Sequence, residues 1–224
     1  MATPRSKDPE RPSSPRGTDA PGDRPRVGTP VPLVGLTGGM GAGKSTALDA
    51  LRRLGAATLS TDEVVHELLA TEPVRAAVID RFGEQVAPGG VVDRAAVAAE
   101  AFATDADRAW LEGLLWPLVG ARAGAWVREV RGRTPAPRAA VIEVPLLFES
   151  GLTDGYDATI AVVSDELLRQ QRAAARDHVL ADERSSRQLT QEEKARRATF
   201  VVRNDGTTED LERELSSVLD KLAP

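Results

Sequence analysis

The chain has no cysteine, which removes three kinds of chemistry at once: a disulfide framework, a thiolate zinc site and a cysteine nucleophile. Its two histidines, His66 and His178, are too few for a histidine-rich metal centre. Aromatic residues make up only 4% of the 224 residues, so the 41% apolar share is mostly aliphatic, enough for one ordinary core and a satellite. No apolar run approaches the roughly 20 residues that span a bilayer, and the first thirty residues lack the apolar stretch of a signal peptide. A cytoplasmic protein without membrane attachment is therefore expected. Positive charge is not in excess either: 29 Lys and Arg stand against 34 Asp and Glu, a net charge of −5 that argues against a broad nucleic-acid surface. Any phosphate site has to concentrate its own positive charge.

Proline is abundant in one place only. Residues 1–32 hold eight of the fifteen prolines with Ser, Gly and scattered charges, and they show almost no apolar periodicity. That composition predicts a disordered extension over residues 1–31. Six basic residues against four acids give it a net charge of +2, leaving −7 for the remaining 192 residues. From Val31 the pattern changes: Val31, Leu33, Val34 and Leu36 form a short apolar run that ends in glycines and leads into helical spacing. Ala139–Val144 and Ala158–Val163 look like buried strands, with shorter ones at Ala57–Leu59 and Phe200–Val202. Between Asp62 and Arg131 only helical spacing appears, as in Trp110, Leu111, Leu114, Leu115, Leu118 and Val119. A charged, arginine-rich helical stretch follows Asp165. Short strands alternating with helices predict a parallel sheet covered on both faces, with ligands at the carboxyl ends of the strands.

The strongest motif is Gly38-Gly39-Met40-Gly41-Ala42-Gly43-Lys44-Ser45, which fits G-x-x-x-x-G-K-[ST] and lies between the first strand and a helix beginning near Lys44. A loop that wraps its N–H groups around a triphosphate needs positions without Cβ bulk, and a helix N-terminus adds about half a positive charge there. Lys44 is placed to bridge the β- and γ-phosphates, Ser45 to bind Mg²⁺ through its hydroxyl, and Thr46 to reach the α-phosphate. Gly38, Gly41 and Gly43 supply that freedom from Cβ bulk, Ala42 joins Gly41 and Gly43 in binding the nucleotide, and Met40 is a spacer.

A phosphate loop alone leaves GTPases, motor-like ATPases and small-molecule kinases open. No N-K-x-D motif occurs, which disfavours a guanine-specific switch. Ala139-Ala140-Val141-Ile142 runs into Glu143, either an acid that helps hold Mg²⁺ or its waters, or a solvated acid at a strand end. Asp62, in Ser60-Thr61-Asp62-Glu63 after the second strand, is either an acid facing the phosphate site or part of a helix cap. Arg169, Arg172 and Arg176, spaced by three and four, share a helix face that either meets phosphates or faces solvent.

With these residues assembled, the chain resembles the dephospho-CoA kinase family from about Leu33 to Leu222. The resemblance is carried by Val34-Gly35-Leu36-Thr37-Gly38-Gly39 leading into the loop, then by Phe82-Gly83, Asp93-Arg94, Phe102, Leu111-Glu112 and Pro117-Leu118-Val119. Pro145-Leu146-Leu147-Phe148-Glu149 is the most diagnostic string outside the loop. Arg172, Arg176, Arg184, Gln188, Lys194, Ala198, Asn204 and Gly206 follow at the family's spacings.

The resemblance implies a three-layer α/β phosphate-loop kinase fold with a parallel five-stranded sheet over residues 32–224. It further implies a helical acceptor insertion at about 62–131 and a helical lid at about 165–197. It makes Asp62 the general base, and Arg176, with Arg172 nearby, the arginine that stabilises the transferring phosphoryl. Asn204 and Gly206 fall near the adenine. Arg94, Trp116, Pro117, Leu146 and Glu149, with Asp62, fall on the acceptor side. The implied substrates are ATP, with Mg²⁺, and dephospho-CoA, without an obligate protein partner.

Three positions depart from the family: Ser60 stands for the first acid of an Asp-x-Asp segment, Trp116 for a histidine before proline, and Thr199 for an aspartate. An indole donates but has no acid or base capacity, so Trp116 either stacks on the acceptor or is core. Two rivals remain at this level: a kinase of another small alcohol, and a nucleotide-binding regulator that has lost turnover. One prediction follows from composition alone. Removing residues 1–30 should change neither Tm nor kcat, because such a segment cannot join a core; a loss of several degrees in a thermal melt would show that it packs.

Overall fold

The structure, a computed structural model, describes residues 31–174 and 188–223; the segment 1–30 and the residues His178, Arg176 and Arg184 lie outside the described residues. The elements are β1 (Leu33–Gly38), α1 (Lys44–Arg53), β2 (Ala57–Ser60), α2 (Thr61–Ala70), α3 (Glu72–Phe82), α4 (Arg94–Ala103) and α5 (Asp105–Arg131), then β3 (Ala140–Glu143), β4 (Ala158–Val163), α6 (Glu166–Ala174), α7 (Gln191–Arg197), β5 (Phe200–Arg203) and α8 (Thr208–Leu222). The five strands form one parallel sheet in the order β2-β3-β1-β4-β5. This is the expected parallel α/β sheet. Its order puts β1, which feeds the phosphate loop, at the centre, with β3 and β4 on either side.

Strand boundaries shift slightly from the sequence reading. β1 starts at Leu33, and Val31 instead packs against Ala57, Val130 and Ala140 on one face of the sheet. Leu33 and Trp126 complete that patch. The opposite face carries the larger core, where Leu48 and Leu51 of α1 meet Leu211, Leu215, Val218, Leu219 and Leu222 of α8 over Val34, Leu36, Val141, Ile160 and Val162. The spacing along α8 gives one apolar stripe, and a capping box between Thr207 and Asp210 starts that helix. The central strands β1, β3 and β4 therefore bury both faces, which explains runs such as Ala158–Val163, whereas edge strand β5 leaves Val201 exposed.

Helices α2–α5 build a second core of their own from Leu69, Val74, Val78, Phe82, Val86, Val97, Ala101 and Leu115. Phe82 and Trp110 meet edge to face with ring centroids 5.4 Å apart, and the Arg81 guanidinium lies 5.7 Å from the Trp110 ring. Trp116 behaves differently from Trp110: it is 56% exposed, so the reading of it as core is overturned. Leu115 takes the buried face of α5, and one residue further along a helix turns the side chain roughly 100° away.

The segment after β4 returns to the sheet through α7, and a buried lysine pins it there. Lys194 is wholly buried, and its Nζ donates to the Pro145 carbonyl at 2.6 Å and to Thr37 Oγ1 at 3.3 Å, and pairs with Glu149 at 3.0 Å. Glu149 also accepts from the Leu189 N–H at 2.8 Å. The ion pair thus ties α7 to the segment after β3, and the hydrogen bond to Thr37 ties it to the strand end that begins the phosphate loop. Lys194→Met would strand the Glu149 carboxylate without its cation and should cost about 3–5 kcal/mol. The added change Glu149→Gln should recover most of that loss; denaturant melts of the two variants check it, and equal stabilities would mean that the charge pair is not what holds α7.

Candidate active site

The loop Gly39–Gly43 leaves β1 and enters α1 with Gly43 at the N-cap, φ 91°, and Gly41 at φ 72°. Both are left-handed conformations that L side chains rarely adopt. Space closes the argument, since a Cβ on Gly43 would lie 2.0 Å from Asn204 Nδ2, and one on Gly41 would lie 2.3 Å from the Arg169 carbonyl oxygen. Lys44 folds back over the start of the loop, its Nζ donating to the carbonyls of Gly38 at 3.2 Å and Gly39 at 3.3 Å. Ser45 is exposed in the first turn of α1 and Thr46 half-buried beside it.

On one side of the loop, Gly41, Gly43, Thr46, Arg172, Asn204, Gly206 and Thr208 line a cavity of about 230 Å³. Six of these residues are ones the sequence assigns to nucleotide binding. Asn204 does something the sequence did not reveal: its side-chain amide donates to the Ala42 carbonyl at 2.9 Å, bracing the loop itself. Its own carbonyl accepts from Arg172 Nη1 at 2.9 Å and from Ser164 Oγ at 3.0 Å, so β5, β4 and α6 are joined at one point. Gln191 completes the joint by accepting from the Ser164 N–H and donating to the Ser164 carbonyl, both at 2.8 Å. Ser164 and Gln191 carry no motif, and the signal for either is absent from spacing alone.

Across the carboxyl edge of the sheet, Ser60 and Glu143 lie side by side in the β2–β3 register, and Ser60 Oγ donates to Glu143 Oε2 at 2.8 Å. Thr61 Oγ1 donates to the Glu143 carbonyl at 3.0 Å, fixing the start of α2. Asp62 is the second residue of α2; the N-cap position belongs to Ser60, whose hydroxyl is spent on Glu143 and makes no capping bond. Glu143 is buried, so it is not a solvated acid at a strand end. Burial pushes its carboxyl above the ordinary value of 4.5; the Lys44 ammonium opposes this, Asp62 reinforces it, the Ser60 hydrogen bond opposes it and Glu63 reinforces it. Lys44, Asp62 and Glu63 are thus near enough to act on the charge of Glu143.

The residues implied for the acceptor are more dispersed. Leu146 is half-buried after β3, and Glu149 is the partner of Lys194. Arg94 is exposed at the start of α4, and Pro117 lies within α5 one residue past exposed Trp116. None of these lines the two cavities that flank the loop. Thr199 forms a reciprocal pair with Thr159, each backbone N–H donating to the other's hydroxyl at 3.0 and 3.1 Å. Among the described residues, no group of three His, Cys, Asp or Glu side chains forms a ready metal site, and no helix is long and apolar enough to cross a membrane.

A central parallel strand opening into a glycine loop, a helix N-terminus behind it, a lysine folded over it and a buried acid at the end of the adjacent strand define a phosphate-loop kinase. Comparison with known proteins narrows the class. Residues 32–210 match the family model of dephospho-CoA kinase, and the chain belongs to that family. It is 38% identical over 192 residues to a dephospho-CoA kinase of Deinococcus radiodurans, covering 84% of this chain and 91% of that one. It is 34% identical over 197 residues to one of Geobacter sulfurreducens, covering 86% and 99%. Among solved structures, a Thermus thermophilus protein superposes with a TM-score of 0.71 at 30% identity, over 88% of this chain and 100% of that one. A dephospho-CoA kinase from Campylobacter jejuni shares the fold with a TM-score of 0.62 at 22% identity, over 85% and 96%.

The Glu143 environment generates a pH prediction. A carboxyl that holds its proton more tightly when folded stabilises the fold fully below the unfolded value, near 4.5, and loses that contribution as pH rises through the raised folded value. Glu143→Gln cannot ionise and keeps an acceptor for Ser60. Its Tm should exceed the wild-type value by about 2 °C or more at pH 8, with the gap closing towards pH 4; a gap independent of pH would contradict the buried, ionising carboxyl.

Proposed function

We infer that the protein transfers the γ-phosphoryl group of ATP to the ribose 3′-hydroxyl of dephospho-CoA, giving coenzyme A and ADP, the last step of coenzyme A biosynthesis. The observation that carries this reading is the glycine loop with Lys44 folded over its carbonyls at the end of the central strand, in a chain of this family.

The backbone of Gly41, Ala42 and Gly43 cradles the phosphates, and Lys44 neutralises the β- and γ-oxygens. Arg172, Asn204, Gly206 and Thr46 form the nucleoside side, lining one cavity. Ser45 offers an exposed hydroxyl in the first turn of α1, an oxygen donor of the kind a hard cation takes, and fits Mg²⁺ carried in with ATP. When bound, that ion offsets charge on the phosphate oxygens. Asp62 accepts the proton of the acceptor hydroxyl as its oxygen forms the bond to the γ-phosphorus, and the bond to the bridging oxygen of ADP breaks. Arg176 is assigned to the charge on the transferring group by the family resemblance.

The helices between residues 61 and 131 form the acceptor side, with Arg94, Trp116 and Pro117 there and Leu146 and Glu149 after β3. An exposed indole at position 116 supports a stacking role towards the acceptor. A cytoplasmic location agrees with this chemistry.

An ADP-release assay with ATP, Mg²⁺ and dephospho-CoA, adenosine or no acceptor, followed by mass spectrometry, tests the reaction. A gain of one phosphate on dephospho-CoA alone is expected; nucleotide binding without transfer to any acceptor would defeat the proposal. Asp62→Asn should lower kcat by about 10²-fold or more with nearly unchanged ATP affinity, since a general base acts in the transition state. Near-normal turnover would remove Asp62 from that role.

A further inference from the structure

Two arginines of α6 reach the phosphate loop from opposite sides. Arg172 lines the cavity that contains Asn204 and Gly206. Arg169, three residues earlier, lines a second cavity of about 280 Å³ with Gly39, Met40, Glu166, Gln188 and Thr190 among its neighbours. Its side chain lies so close to the loop that a Cβ on Gly39 would be 2.4 Å from Nη1. Gly39 is also one of the two residues whose carbonyls receive the Lys44 ammonium, at 3.3 Å. Arg169 and the lysine that reaches the β- and γ-phosphates therefore converge on one end of the loop, away from the nucleoside cavity.

The head group of Arg169 is only partly used. Its Nη2 pairs with the Glu166 carboxylate at 2.9 Å, while its Nε is buried without a hydrogen-bond partner among the described residues. A buried donor left unmade costs free energy that an incoming acceptor would relieve. The Arg169 side chain is 22% exposed and that of Glu166 59%, so the carboxylate end of the pair is solvated and open to exchange. The chemistry that fits a forked cation beside a phosphate-binding backbone is a phosphoryl group.

We propose that Arg169 recognises the γ-phosphate of the bound nucleotide, exchanging Glu166 for phosphoryl oxygens on the side of the loop opposite Arg172. This rests on ATP being the phosphoryl donor. It makes Arg169 a residue that distinguishes ATP from ADP, a role that neither its helical spacing nor Arg172 supplies.

The test is calorimetric binding of Mg·ATP and Mg·ADP to the full chain and to Arg169→Ala, with Arg169→Gln as a second variant should the first fold poorly. ATP affinity should fall about tenfold, the loss of one charge-assisted contact, while ADP affinity stays within about twofold of wild type. Arg172→Ala, on the nucleoside side, should weaken both nucleotides alike. The Tm of the Arg169 variants should stay within about 2 °C of wild type, since the carboxylate it pairs with is solvated and its buried Nε makes no hydrogen bond to lose. Equal losses for ATP and ADP, or none for either, would overturn the proposal. Because the readout is nucleotide discrimination, a wild-type protein that binds ATP yet fails to phosphorylate dephospho-CoA would defeat the acceptor assignment and leave this comparison standing.

Discussion

A polyanion held by backbone N–H groups imposes one constraint from which the rest of this molecule follows: the chain must bend so that successive amides point inward, and it must stay bent without a ligand. Gly41 and Gly43 make the bend possible through positive φ, but they also make the loop soft. The stiffness is supplied from outside. Asn204 holds the Ala42 carbonyl, Lys44 holds those of Gly38 and Gly39, and Arg169 packs against Gly39 and Gly41. A loop preorganised in this way has less ordering to do when a phosphate arrives, which is where its electrostatic stabilisation of a transferring group originates.

The braces come from elements far apart in sequence, and the sheet order explains why they meet. With β1 central, β4 and β5 lie on one side and β3 and β2 on the other, so the nucleoside side and the acid-bearing side of the loop are built by different strands. Ser164, Arg172, Gln191 and Asn204 knot the first side together. Ser60 and Glu143 form the second. Lys194 connects the knot to the loop's root through Thr37, at the cost of burying an ammonium that needs Glu149 beside it. The helices of residues 61–131 hold a core of their own, and the last turns of α5 join it to the sheet through Trp126 and Val130.

Parts of this site were legible because they are local. The phosphate loop is one contiguous segment whose glycines, lysine and serine carry their own geometry. Other parts were not, because their meaning depends on a neighbour supplied by another strand. Ser60 looks like a lost acid in the sequence; in the fold it is the hydrogen-bond donor to an acid from β3. Glu149 sits in a diagnostic string, yet one of its carboxylate oxygens is occupied by Lys194 and the Leu189 N–H. Trp116 and Trp110 share a helix and a composition, and only packing separates the exposed ring from the one against Phe82.

By itself the sequence determined what depends on period and on local bond geometry: central strands that bury both faces, the helical stretch from Asp62 to Arg131, and a loop able to wrap a phosphate. Side-chain alternation and glycine freedom act over a few residues, so they survive in a one-dimensional reading. The order of the strands, the bracing of the loop by Asn204, the buried Lys194–Glu149 pair and the assignment of Arg169 and Arg172 to opposite sides of the loop were decided by the tertiary structure. Each depends on a contact between segments tens of residues apart, and such contacts are chosen by how the whole chain buries its apolar faces rather than by any local preference.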